Sequence, residues 1–261
     1  MPAAPAAAAD PSLKPTALVT GGAQRIGRAV VIALARAGYA VAIHVRRSRS
    51  AAEELCAGIR RDGGRAEIVA GDLADHDAVE ALVPSAVAAL GRLTLLVNNA
   101  SEFLPDEIGR LDRAQFDRHF AVNLRAPLFL AQAFAAQAAA DSAIVNLVDQ
   151  RVFRPTPRFL SYGLTKSGLH VATVMLAQAL APHIRVNAVA PGPTLPSPRQ
   201  DAEAFARYCR AMPLGHGPRP EEIADAVLFL ASAKSITGVT IAVDGGQHLG
   251  WPLAGAGNLE E

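Results

Sequence analysis

Cysteine, charge and long apolar runs are all scarce in this chain, and each scarcity removes a class of function. The two cysteines, Cys56 and Cys209, are far apart and match no metal-binding or redox spacing. That suits packing roles in a reducing, cytoplasmic compartment and gives no metal site. Charged residues make up 19% of the chain and the formal net charge is +1. Neither nucleic acid nor an anionic membrane is therefore an expected partner, and no block of like charge suggests a binding tail. No apolar run reaches the roughly 18 residues needed to span a bilayer. The opening MPAAPAAAADPSLKP lacks a basic n-region and a strongly apolar h-region, so residues 1–15 are expected to form a disordered tail rather than a signal peptide. Internal repeats are also missing.

The chain has instead 51% hydrophobic residues over 261 positions, enough for one large domain with a sizeable core. Thr16–Thr20 is a short apolar run ending in glycines. A helical pattern carrying Ile26, Val30, Val31, Leu34 and Ala37 follows, with Gly38 closing it, and Ala40–Val45 reads as a second buried strand. The alternation continues with a polar helix near Ala51–Arg61, a strand at Ala66–Ala70, a helix near Val79–Leu90 and a strand at Leu93–Asn98. A long helix is expected over Arg113–Ala139, a strand at Ala143–Val148, then a helix ending near Pro182. Ile184–Ala190 is a strand, residues 193–218 an irregular Pro/Gly-rich insert, Pro220–Ala231 a helix and Thr240–Val243 the last strand. Seven strands separated by helices require crossover connections, hence a doubly wound α/β fold of Rossmann type on a parallel sheet. The domain is expected over 16–248, with a further tail over 249–261.

In such a sheet the first strand-to-helix turn takes phosphates. Here it reads Thr20-Gly21-Gly22-Ala23-Gln24-Arg25-Ile26-Gly27. Its glycines let the backbone turn tightly and approach an anion, and the helix start supplies free N–H groups and a positive dipole end. At the end of the second strand stands His44-Val45-Arg46-Arg47-Ser48, with no carboxylate for ribose hydroxyls. Arginine forks and a serine hydroxyl suit a 2′-phosphate, so the expected cofactor is NADP(H). Further along, Tyr162 and Lys166 are four apart and share one helix face. A fixed positive charge beside a phenol favours the phenolate and is expected to bring the tyrosine toward the working range.

These features together, with Asp72 after the third strand, Asn98-Asn99-Ala100 after the fourth, Asn123, Pro191-Gly192 and Asp244-Gly245-Gly246, resemble a short-chain dehydrogenase/reductase over nearly all of Thr16 to Gly246. The resemblance implies a catalytic set of Asn123, Tyr162 and Lys166. Tyr162 would be the proton donor, Asn123 would hold a water relay to Lys166, Asp72 would meet the adenine edge and Asn98 would brace the central strands. It also implies cofactor contacts from Gly21, Arg25, Ile26, His44, Arg46, Arg47, Ser48, Asp72, Leu73, Asn99, Ala100, Ser101, Tyr162, Lys166, Pro191 and Gly192, and a homotetramer. Two departures narrow it. Arg25 stands where most members have glycine, and Asp149 replaces the serine thirteen residues before the tyrosine. With Ser101, Phe103 and the His44–Ser48 segment these resemble pteridine reductases and bacterial dihydromonapterin reductases. In that subgroup the arginine and the serine lie against pterin and cofactor phosphates, and the phenylalanine stacks on the pterin. The implied substrate contacts are Arg25, Ser101, Phe103, Asp149 and Tyr162.

Asp149 supports this choice chemically. A serine hydroxyl can donate to a ketone oxygen, whereas an ionised aspartate only accepts and would repel a developing alkoxide. A pterin needs protons at ring nitrogens and acceptors for its N–H groups, which Asp149 and Tyr162 can supply together. The alternative for Asp149 is a turn or helix-cap role, and for Phe103 a plain core position. The 193–218 insert is the expected substrate lid, while His216, His248 and Trp251 are more simply packing or solvent-facing residues. The leading expectation is an NADPH-dependent reductase of a pterin-like or dihydrofolate-like C=N bond. A carbonyl or imine reductase with an unrelated substrate is the alternative. A non-catalytic dinucleotide sensor would have let the catalytic set decay, yet Asn123, Tyr162 and Lys166 are all present. The sequence leaves open which pterin, which bond and which direction.

Overall fold

The computed structural model describes residues 15–197 and 199–250; nearly all of the expected N-terminal tail, Trp251 and most of the expected C-terminal tail lie outside them. Seven strands, β1 (Thr16–Val19), β2 (Ala40–Val45), β3 (Ala66–Ala70), β4 (Leu95–Asn98), β5 (Ser142–Leu147), β6 (Ile184–Pro191) and β7 (Thr240–Val243), form one sheet in the order β3-β2-β1-β4-β5-β6-β7. Every pairing is parallel, with Leu18 opposite Ala42 on one side and Leu96 on the other.

Alternation along the central strands divides the core. Ala17, Val19, Val41, Ile43, Leu95, Val97 and Val145 pack under α1 (Arg25–Arg36), α2 (Arg49–Arg61) and α8 (Pro220–Ser232), through Val30, Leu34, Leu55, Ile59, Ile223 and Val227. Leu18, Ala42, Leu96, Ile144 and Val186 face the other way. They meet α3 (His76–Leu90) and α5 (Ala126–Gln137) through Leu82, Val83, Leu130 and Phe134, together with Ala177 of α6 (Leu160–Leu180). Strands covered on both faces read as continuous apolar runs, which is why the sequence displayed them plainly. Truncating a fully buried aromatic such as Phe134 to alanine typically costs about 3–5 kcal/mol.

Two expectations change. The helix expected over Arg113–Ala139 is α4 (Arg113–Phe120), a π-helical turn at Ala121–Arg125 and then α5. The wider i→i+5 turn, closed by Ala126 N–H donating to the Ala121 carbonyl, inserts a residue that apolar periodicity does not register. The insert expected to be irregular contains α7 (Ala202–Arg210), started by Asp201, whose carboxylate accepts from Ala204 N–H at 2.7 Å. An N-cap of this kind satisfies a free N–H of the first turn and so favours helix inside a Pro/Gly-rich stretch.

Candidate active site

The direction of connection reverses between β1 and β4, and a crevice opens over their carboxyl ends. The two strand ends are stitched together there. Thr20 Oγ1 accepts from Asn99 and Ala100 N–H at 2.9 and 3.0 Å, and Asn99 Nδ2 donates to the Thr20 and Gly21 carbonyls at 2.8 and 3.1 Å. Gly21 has φ +61°, and a Cβ at Gly27 would stand 2.2 Å from the Gly21 carbonyl oxygen, so the turn admits only glycine there. His44 Nδ1 accepts from Gly21 N–H at 3.1 Å, and its Nε2 donates to the Gly71 carbonyl at 3.0 Å. Both ring nitrogens are thus used to pin the turn, and burial pushes the imidazole pKa down despite the Gly71 bond and Asp72.

The crevice has a volume of about 520 Å³ and is lined by every residue expected to contact the cofactor, with Phe103 and Asp149 alongside. Charges at the end of the crevice beside β2 and β3 are already engaged. Arg118 donates to Asp72 at 3.2 and 3.3 Å and to Glu102 at 3.0 Å, and Arg46 pairs with Glu102. Arg47 is exposed and Ser48 half-buried at the N-terminus of α2. Nothing local in the sequence marks Glu102 or Arg118, because their pairing spans separations of 16 to 56 residues.

Tyr162, Lys166 and Asp149 converge at the other end. The Tyr162 hydroxyl donates to Asp149 Oδ2 at 2.8 Å, while Asp149 Oδ1 accepts from Arg151 N–H at 2.8 Å. Asp149 is therefore both the cap of the 3₁₀ turn Gln150–Val152 and the partner of the tyrosine. The Arg151 guanidinium lies 3.4 Å from the same carboxylate. Lys166 Nζ donates to the Leu147 carbonyl at 2.7 Å. The expected depression of the tyrosine pKa is overturned: burial first, and then the charge and hydrogen bond of Asp149, raise it well above its ordinary value, with Arg151 opposing. Burial lowers Lys166 to about 8 although Asp149 favours its charge. Tyr162 is thus held as a phenol, the form that donates a proton.

Asn123, in the π turn and fully buried, lies behind the crevice. Its Oδ1 accepts from Glu102 N–H at 2.8 Å and Ser101 Oγ at 3.2 Å. Its Nδ2 donates to the Glu102 carbonyl at 3.0 Å and Thr165 Oγ1 at 3.2 Å. The amide is fully occupied, so a water relay to Lys166 would have to start at the main chain. Asn98 braces the sheet as expected, donating to Asn146 Oδ1 at 2.9 Å, and Asn146 continues to Thr173 on α6 at 2.9 Å. A polar residue in the apolar run SAIVNL was the available signal for Asn146.

Phe103 lines the crevice and has structural contacts of its own: its ring stacks on Phe159 at 4.4 Å and meets Tyr162 edge-on at 4.6 Å. Arg151 and Arg199 lie within 5.7 Å of both phenylalanine rings. Arg25 adopts φ +53°, the left-handed conformation natural to the glycine it replaces. Its guanidinium donates to the Leu195 and Pro196 carbonyls at 3.2 and 3.1 Å, tying the glycine turn to the 193–218 segment. His216 is exposed, and His248 Nδ1 lies 2.8 Å from Asp244 Oδ2. Neither lines the crevice.

A doubly wound sheet with a glycine turn at its switch point and a Tyr-x-x-x-Lys pair facing it defines an oxidoreductase of the short-chain dehydrogenase/reductase type. The family profile described as enoyl-(acyl carrier protein) reductase matches residues 21–248, and the chain belongs to this family. Among solved structures it is similar to FolM alternative dihydrofolate reductase 1 from Brucella canis complexed with NADP, at 47% identity and a TM-score of 0.89, over 93% of this chain and 97% of that one. It is 34% identical to pteridine reductase 1 of Leishmania tarentolae, over 90% of this chain and 96% of the relative. It is 37% identical to L-xylulose reductase of Mesocricetus auratus, over 88% and 95%.

Proposed function

We propose that the protein reduces a C=N bond of a pterin-like or dihydrofolate-like heterocycle with hydride from NADPH. The observation that carries this reading is the Tyr162 hydroxyl bonded at 2.8 Å to Asp149, where a neutral donor would serve a ketone. The FolM and pteridine reductase relatives agree with it. The crevice fits the dinucleotide on two local grounds. A Cβ at Gly27 would close the phosphate turn, and the mouth beside β2 presents exposed Arg47 with Ser48 and no carboxylate after Val45. Gly21, Arg25 and Ile26 would hold the diphosphate, Arg47 and Ser48 the 2′-phosphate, and Lys166 the nicotinamide ribose. NADPH, when bound, supplies the hydride.

The chain's own residues handle the proton. Tyr162, kept protonated by burial and by Asp149, gives its proton to the ring nitrogen. The Lys166 ammonium stabilises the charge left on the phenol oxygen, and a proton taken up from solvent passes through the Asp149 carboxylate, between Tyr162 and Arg151, to restore the phenol. Phe103 offers a flat apolar face to the ring, and Arg25 and Ser101 bind its polar edge. The alternative, an NADP-dependent carbonyl or imine reductase, draws on the 37% identity to L-xylulose reductase.

The deciding experiment is a substrate panel. Dihydropterins, quinonoid forms, dihydrofolate and L-xylulose are each offered with NADPH, and absorbance at the nicotinamide band is followed. Turnover of a pterin or dihydrofolate with little on the ketose is expected; the reverse order would establish the alternative. In the same assay Arg47→Ala should raise the KM for NADPH by about 10- to 100-fold, as loss of a charge-assisted bond does, and leave that for NADH nearly alone. An equal effect on both cofactors contradicts the 2′-phosphate assignment.

A further inference from the structure

Behind Tyr162 lies a polar chain that the chemistry above does not use. His119 of α4 and Ser161 of α6 have no exposed surface, and Asp106, in the loop after β4, is buried with them. Leu104 N–H donates to His119 Nε2 at 3.2 Å. An imidazole nitrogen that accepts carries no proton, so the proton of the neutral ring is on Nδ1. Nδ1 stands 2.5 Å from Ser161 Oγ and donates to it, and the Ser161 hydroxyl is left to donate onward to Asp106 Oδ2. The chain therefore has one direction, from His119 through Ser161 to the carboxylate.

Both ends hold something catalytic in place. The Asp106 carboxylate accepts Ser161 N–H at 3.1 Å, and its carbonyl accepts Phe159 N–H at 2.9 Å. These bonds take up free N–H groups at the start of α6. They also fix Phe159 at φ +57°, a conformation a phenylalanine keeps only when its surroundings impose it. Tyr162 follows directly. At the other end, the Leu104 bond fixes the residue after Phe103, whose ring lies between Phe159 and Tyr162. The His119 ring itself stands 6.5 Å from that of Tyr162.

We propose that Asp106, Ser161 and His119 are positioning residues: a directed hydrogen-bond chain, read out through the tautomer of His119, that locks the Phe103 face to the Tyr162 donor. This rests on the assignment of Tyr162 and Phe103 made above. Its sharpest consequence concerns direction. In Asp106→Asn the new amide can donate to Ser161 Oγ while its oxygen keeps Ser161 N–H. The Ser161 hydroxyl then turns toward His119, the imidazole proton moves to Nε2, and Leu104 N–H loses its acceptor although no residue near it has changed.

The test uses the full chain with ¹⁵N-labelled histidine, His119 being assigned by the signal lost in His119→Gln. Without any substrate, the wild type should show His119 as the Nδ1–H tautomer and Asp106→Asn as the Nε2–H tautomer. With NADPH and dihydrofolate, Asp106→Asn should raise the KM for dihydrofolate about tenfold, as expected for a buried donor left without its acceptor. Adding His119→Gln should bring that KM most of the way back, because the glutamine oxygen accepts from Leu104 N–H whichever way Ser161 points. A helix-capping role alone predicts neither the tautomer change nor the rescue. Asp112→Asn, at the cap of α4 outside the chain, should move nothing. A wild-type His119 protonated on Nε2, or an Asp106→Asn variant with tautomer and KM unchanged, overturns the proposal. Failure of the wild type to reduce any pterin would instead count against the proposed function and leave the tautomer result to decide this chain.

Discussion

At Tyr162 burial first, and then the half-buried Asp149 carboxylate, favour the phenol, while the Arg151 guanidinium opposes them. Asp149 is hydrogen-bonded directly to the phenol, whereas the Lys166 ammonium donates to the Leu147 carbonyl, so the phenol keeps its proton. Asp149→Asn keeps the size but removes the acid–base partner, and pterin reduction should fall by about 10²- to 10⁴-fold, the range of a positioned acid–base group. Asp149→Ser restores a neutral donor, so it should lose pterin turnover while keeping or gaining a little activity on an activated ketone. NADPH affinity should stay within error in both. Full pterin activity in Asp149→Ser, measured at saturating NADPH, would remove the carboxylate from the mechanism. Lys166 sets a second limit. With its pKa near 8, the ammonium is present below that pH and lost as pH rises through it, so kcat/KM should decline on the alkaline side of about 8. In Lys166→Arg the charge persists and that limb should move up beyond the measured range. A limb unmoved in the pH profile would assign it to another group.

Among the elements, the strands were legible because apolar residues on both faces of a parallel sheet leave uninterrupted runs, and the crevice residues were legible because switch-point geometry puts strand ends there. What the sequence hid depends on contacts between distant positions. The π turn that carries Asn123 has no periodic signature. Phe159 reaches φ +57° through the bond its N–H donates to the Asp106 carbonyl, 53 positions away, and Glu102 finds Arg46 and Arg118 only once the chain is folded. Arg25 joins two parts of the chain, the start of α1 and the 193–218 segment that carries α7, and a glycine-favouring backbone was signalled only by resemblance. Arg25→Gly relieves a left-handed side-chain conflict worth about 1–2 kcal/mol and adds back about 0.5–1 kcal/mol of glycine entropy. Thermal stability should therefore hold or rise slightly, despite two lost bonds to Leu195 and Pro196. The KM values for cofactor and substrate should increase, because the cation at the phosphate turn is gone. A lower Tm with unchanged KM values, from calorimetry and steady-state kinetics, would make Arg25 a structural latch alone.

For the whole molecule, the homotetramer implied by the family resemblance needs a surface on which copies meet, and the small residues of α6 are turned inward. Ala172 and Ala177 are buried within the chain, and a Cβ at Gly168 would press on Leu124 at 3.0 Å, so these positions close intramolecular contacts. Among the apolar side chains that face outward are Leu164, Val171 and Met175, at 48%, 56% and 63% exposure, with Val174 beside them; spacings of seven and four residues place the first three on one stripe of α6. Phe129 of α5 is exposed as well, at 40%. An apolar stripe on a pair of long helices is the kind of surface a second copy covers face to face about a two-fold axis, each α6 meeting its equivalent. We propose that this stripe, not the alanines, builds one interface of the assembly. In a two-fold contact a single substitution acts twice, bringing two like charges together in a surface that is otherwise apolar. Val171→Glu combined with Met175→Glu should therefore dissociate the protein to smaller species in light scattering at micromolar concentration. Ala172→Ser, buried within the protomer, should leave the assembly intact. A wild-type monomer, or an undiminished oligomer in the double glutamate variant, would rule the stripe out.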